Sequence, residues 1–160
     1  EFEAMEVRPA RALGWHRALK MRSRLNRGTE ACPGLVFALL TGGACRGMAY
    51  RLNPKTLALD LARLWAREMP LDTYEPRWLR CVTPQGTVQA LSFTLPRTHP
   101  SYTGTMADAD LLRVLQHAEG RYGTTLHYVQ ETQRALQAAG IQDPAINRLM
   151  ALFDRQCGAA

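Results

Sequence analysis

Hydrophobic and polar positions change rhythm once along this chain, at the turn-rich passage PRTHPSYTG from Pro96 to Gly104. Before it, apolar residues come in short alternations and runs. Leu13 to Ser23 (LGWHRALKMRS) alternates loosely, Leu35 to Leu40 is a compact apolar run, and Arg46 to Leu52 follows the turn residues Thr41-Gly42-Gly43. Each is a predicted strand, because alternate side chains of a strand emerge on opposite faces of a sheet. Two more, Trp78 to Thr83 and Thr87 to Leu95, flank the predicted hairpin turn Pro84-Gln85-Gly86. Between the first three strands and these two lies one well-marked helix. Asn53 offers an N-cap, Pro54 suits the first helical position, and the pattern runs to Arg67 or Glu68 before Pro70 forbids continuation.

After the turn the period lengthens to that of helices. Ala107 to Ala118 is stopped by Gly120, Leu126 to Ala139 by Gly140, and Pro144 to Phe153 is capped by Asp143. Five strands around one helix, then three helices with no regular strand–helix alternation, predict an α+β fold with a mostly antiparallel sheet or small barrel rather than a dinucleotide-binding fold. With 160 residues and 46% hydrophobic composition, residues 1–160 read as a single domain.

Composition excludes more than it selects. No run reaches the roughly 18 apolar residues of a membrane span, and EFEAMEVRPAR lacks the order of a signal peptide, so the expected location is cytoplasmic. Cys32, Cys45, Cys81 and Cys157 are scattered, with neither metal-site nor disulfide spacing, and reduced thiols are expected. The net charge of +6 comes from eighteen arginines and two lysines, with seven basic and no acidic residues from Arg8 to Arg27. That stretch can attract anions, but it carries no interleaved aromatics for stacking nucleic acid. A small anionic substrate is the expected partner, without nucleic acid, membrane, metal or organic cofactor.

One residue breaks the helical pattern. Leu57, Leu61, Leu64 and Trp65 follow the spacing of a buried stripe, and the next position on it is Glu68. A dry setting and the partial negative charge of a helix C-terminus both disfavour a carboxylate there, which suits a group that must accept and return a proton. The alternative is a frayed last turn in which Glu68 leans into solvent or pairs with Arg67. His16, His99, His117 and His127 stand apart and beside no Ser or Cys nucleophile, and no nucleophile elbow, P-loop or zinc-protease pair is present.

Several phrases occur in a telling order: LGWHRA at Leu13, RGTEACPGLV at Arg27, GGACRGMAYRL at Gly42, WAREMPLDTY ending at Tyr74, YTG at Tyr102 and GRYGTTLHYVQETQRALQAAGIQD from Gly120. Together, from about Ala10 to Leu149, they resemble the ChaC family of γ-glutamylcyclotransferases. The resemblance implies a small mixed β-barrel flanked by helices. It also implies cleavage of glutathione to 5-oxoproline and cysteinylglycine, with Glu68 of the R-E phrase as general acid and base. Tyr102 becomes a candidate for holding the γ-glutamyl end, and Arg27 a weaker candidate for a substrate carboxylate; Tyr50 and Tyr74 are expected to pack.

Departures from the family pattern matter too. Thr125 stands where the family often has Asn and His127 where it usually has Glu, so a differently capped helix is expected. The family's Y-G-S-L loop, whose amides cradle the γ-glutamyl carboxylate, does not occur, nor does its leading strand. The expectation is a domain lacking that segment, with weakened activity and one unpaired barrel edge. Two alternatives stay open: a cyclotransferase for another γ-glutamyl amine, and a non-catalytic binding or regulatory module on the same fold.

Overall fold

The first strand reaches further towards the N-terminus than its apolar residues suggest. In the computed structural model, which describes residues 4–70 and 72–157, β1 spans Ala4–Ser23. Its opening residues invert the usual pattern: Met5 and Val7 face solvent, while Glu6 and Arg8 sit half-buried and hydrogen-bonded to each other. An alternation that puts charge on the less exposed face does not read as a strand.

β2, Gly34–Leu52, is one strand where two were expected. Thr41-Gly42-Gly43 does not end it, because Gly42 (φ 102°) and Gly43 (φ 70°) take conformations closed to other residues and bend the strand instead. β1 keeps contact through the bend: His16 Nδ1 lies 2.9 Å from the Gly42 carbonyl oxygen, and Arg17 donates to the Arg46 carbonyl at 3.0 Å. β3, Glu75–Thr83, and β4, Gly86–Thr94, form the expected hairpin, in register from Glu75 opposite Thr94 to Thr83 opposite Gly86.

The four strands follow the order β1-β2-β4-β3 in a closed barrel. β2 and β4 are parallel at Leu39 and Thr94, and β1 closes on β3 antiparallel at Arg11–Val82 and Ala12–Cys81. The barrel is therefore mixed, and the unpaired edge expected from sequence is absent among the described strands. α1, Leu57–Glu68, lies between β2 and β3 in sequence; α2 (Asp108–His117), the small hairpin β5–β6 (Glu119–Gly120 and Gly123–Thr124), α3 (Thr125–Ala138) and α4 (Pro144–Cys157) follow.

By packing, the chain divides into two units, Glu1–Arg17 with Leu39–His99, and Ala18–Ala38 with Pro100–Ala160. The first holds α1, β3 and β4 and buries Leu40, Cys45, Leu79, Cys81 and Leu95. The second buries Leu115, Val129, Ile146, Leu149 and Met150 where α2, α3 and α4 meet, with Leu19 and Phe37 packed against them. Side chains cap α3 and α4 of this unit, while α2 starts at Ala107 without a side-chain cap. Asp143 Oδ1 accepts from the Ala145 and Ile146 amides, as expected, and Thr124 Oγ1 accepts from the His127 amide at the start of α3. Each such cap contributes about 1 kcal/mol. Among the described residues no helix is long and apolar enough to cross a membrane.

Candidate active site

α1 begins later than its pattern predicts. Asn53 Oδ1 accepts from the Lys55 amide within a turn, and Thr56 takes the cap position. The Thr56 hydroxyl donates to Asp60 Oδ2 at 2.6 Å, and Asp60 is the buried residue of this helix. The predicted stripe is correspondingly shallow. Leu57 and Trp65 are exposed, Leu61 and Leu64 half-buried, and Trp65 meets Phe93 edge-on with centroids 5.9 Å apart. The leucine spacing was right for a helix but did not measure how deeply its face is covered.

Glu68 is the last residue of α1; the Met69 amide still donates to the Trp65 carbonyl, and Pro70, which has no N–H, follows. The Glu68 side chain is 25% exposed against 69% for Arg67, whose guanidinium pairs with its carboxylate. Arg67 Nε and Nη2 both meet Glu68 Oε1, at 2.8 and 2.7 Å. The pairing named as the alternative is therefore present, on a carboxylate that is partly shielded rather than frayed into solvent. Among the described residues Oε2 has no partner. A cation in the last turn also offsets the negative end of the helix dipole.

Tyr102 and Arg27 belong to the second unit, Glu68 to the first. Tyr102 lies in a turn fastened to β1: it bridges Met21, Arg22 N donates to the Ser101 carbonyl at 2.8 Å, and Arg22 Nη1 donates to the Pro100 and Tyr102 carbonyls at 3.3 and 3.2 Å. Arg22, which sequence reasoning did not single out, thus fixes the Tyr102 backbone; no local pattern announces a donor whose acceptors lie about eighty residues on. Arg27 donates from Nη1 to the Tyr122 carbonyl and covers the Tyr128 ring at 5.1 Å. These contacts fasten the loop before β2 to the β5–β6 hairpin.

The replaced family positions also have local roles. Thr125, fully buried, accepts from the Leu35 amide and donates to the Arg27 carbonyl, both at 3.1 Å. His127 is exposed and pairs with Glu131 at 3.5 Å. Of the expected packing tyrosines, Tyr74 is half-buried but Tyr50 is exposed. Cys32, Cys45 and Cys81 are in no disulfide, and burial, reinforced by nearby Cys45, pushes the Cys81 thiol up; the Cys157 side chain lies outside the described residues. No group of His, Cys, Asp or Glu able to hold a metal occurs among the described residues.

A family model described as ChaC-like protein matches residues 1–156. The curated glutathione-specific gamma-glutamylcyclotransferase of Escherichia coli (strain K12) is 36% identical over 139 residues, 86% of this chain and 60% of the relative. The chain thus spans about three-fifths of that relative's length. Two crystal structures of a yeast gamma-glutamyl cyclotransferase specific to glutathione share the fold. The selenomethionine-labelled form has a TM-score of 0.83 at 15% identity, covering 95% of this chain and 89% of the other. The second has a TM-score of 0.75, also at 15% identity, covering 96% and 91%.

Proposed function

The chain belongs to the ChaC-like protein family, and on that premise we propose that it serves a γ-glutamylcyclotransferase that splits glutathione into 5-oxoproline and cysteinylglycine. The observation that carries the reading is the placement of Glu68. The R-E phrase ends α1, so that the carboxylate is partly shielded, tethered at Oε1 and open at Oε2. Glu68 takes a proton from the α-amino group of the γ-glutamyl unit. That nitrogen attacks its own γ-carbonyl carbon, the bond from this carbon to the cysteinyl nitrogen breaks, and Glu68 returns the proton to the departing amine. No water is consumed.

Ring closure within one molecule makes orientation, not nucleophile strength, the protein's main task; well-oriented intramolecular reactions reach effective molarities of about 10⁵–10⁸ M. Tyr102 serves as the hydroxyl that holds the γ-glutamyl end. Its support is the family turn phrase and the rigid fastening of that turn by Arg22. Arg27 serves as a carboxylate contact, though its contacts with Tyr122 and Tyr128 also give it a plain structural task. We place the reaction in the cytoplasm, where the three described thiols stay reduced.

The test incubates the full-length protein with glutathione and follows 5-oxoproline and cysteinylglycine by mass spectrometry. Equimolar appearance of both is expected, and Glu68→Gln should reduce the rate by at least about 100-fold while leaving the circular dichroism spectrum unchanged. Full activity in Glu68→Gln would remove the residue from the role of base.

A further inference from the structure

We propose that Arg67 is the positioning residue for Glu68: its guanidinium occupies Oε1 and so assigns proton exchange with the substrate to Oε2. The inference rests on the cyclotransferase reading above and extends it to a residue with no assigned part. Neighbouring residues of a helix point about 100° apart and do not ordinarily meet. Arg67 and Glu68 nevertheless meet at the end of α1, where Nε and Nη2 both converge on a single oxygen at 2.8 and 2.7 Å.

That convergence matters chemically. A guanidinium that spans both oxygens of a carboxylate in the familiar fork occupies both. Here the guanidinium engages one oxygen, with Nε donating a hydrogen bond at 2.8 Å and Nη2 in contact at 2.7 Å, and among the described residues the other oxygen carries no partner. The terminal torsion of a glutamate is broad and nearly two-fold, so an untethered carboxyl presents either oxygen. The reaction needs one oxygen to face the substrate nitrogens twice, first to receive the proton and then to deliver it. A carboxyl that turned between the two steps would carry the proton out of line. Arg67 remains charged throughout and exchanges no proton itself.

The test compares Arg67→Gln and Arg67→Lys with wild type and Glu68→Gln in the full-length protein. Arg67→Gln is expected to lower kcat about tenfold or more with KM within about twofold, because substrate binding is untouched and only the chemical step loses its orientation. Arg67→Lys, with the charge but not the two-nitrogen grip, should recover part of that loss. In the Glu68→Gln background Arg67→Gln should add nothing, as two residues acting through one carboxyl are not additive. In nitrogen-15 NMR of the wild-type protein, an Arg67 Nε–H resonance slowed in solvent exchange should be present and should be lost in Glu68→Gln. Wild-type turnover that Glu68→Gln abolishes but Arg67→Gln leaves intact overturns the role of Arg67 alone. Absence of wild-type turnover overturns the cyclotransferase reading and this role with it.

Discussion

Thr125 shows how much a single hydroxyl can join. Buried completely, it accepts from Leu35 and donates to Arg27, groups 90 and 98 residues away in sequence. Thr125→Val keeps the shape and strands a buried amide and carbonyl, so a loss of about 2–3 kcal/mol is expected in denaturant unfolding, with Thr125→Ser close to wild type. Thiol labelling should separate the cysteines. Cys32 is exposed, whereas Cys45 and Cys81 are buried and the Cys81 thiol is pushed up, which leaves less thiolate at neutral pH. Alkylation of the native protein should mark Cys32 promptly and reach the other two only on unfolding. Glu6 offers a pH test: its hydrogen bond to Arg8 holds the carboxyl below the ordinary value of 4.5. Its contribution is therefore present above that value and lost as pH falls through the lowered one. The pair stays in contact with water, so the difference in thermal midpoint between wild type and Glu6→Gln should be small, vanish in acid and shrink with salt. At this scale the sequence marked Glu68 because a carboxylate on an apolar stripe is out of place. It left Arg22 and Asp60 silent and raised Arg67 only as an alternative partner for Glu68, since their contacts depend on how side chains lie at element ends.

Elements obey stricter spatial rules than their patterns reveal. Where the loop before β2 crosses the β5–β6 hairpin, a Cβ on Gly34 would lie 1.9 Å from the Arg27 carbonyl oxygen, and one on Gly28 2.0 Å from the Gly34 amide nitrogen. Both obstacles are main chain and cannot swing aside. Gly34→Ala should therefore cost about 3 kcal/mol, whereas Gly47→Ala, with nothing within 4 Å, should leave the thermal midpoint nearly unchanged. The β3–β4 hairpin and the Asp143 cap were legible because turn chemistry and capping are local. The continuity of β2 was not, because two positive-φ glycines let a strand bend where a turn was expected. β1 hid its first nine residues behind outward Met5 and Val7. α1 starts after Thr56 rather than after Asn53, whose side chain closes a turn onto the Lys55 amide instead.

At the scale of the molecule, strands early and helices late gave the α+β class, and the family phrases implied a mixed barrel; both agree with the fold shared with the yeast structures. Strand order, and the parallel pairing of β2 with β4, could not be read from sequence, because period-two alternation is blind to which neighbour a strand takes. The two units also differ in what they contain. All three tryptophans, Trp15, Trp65 and Trp78, fall in the first, with Trp78 70% exposed, while three of the four helices among the described residues fall in the second. Light absorbed by indole thus reports on one part of the chain and the helical dichroism mainly on the other, so the native sequence already carries two separate optical labels. Thr125→Val should lower the midpoint recorded at 222 nm, and any lag of the indole emission behind it would show how far the first unit holds its structure after the second has lost its own.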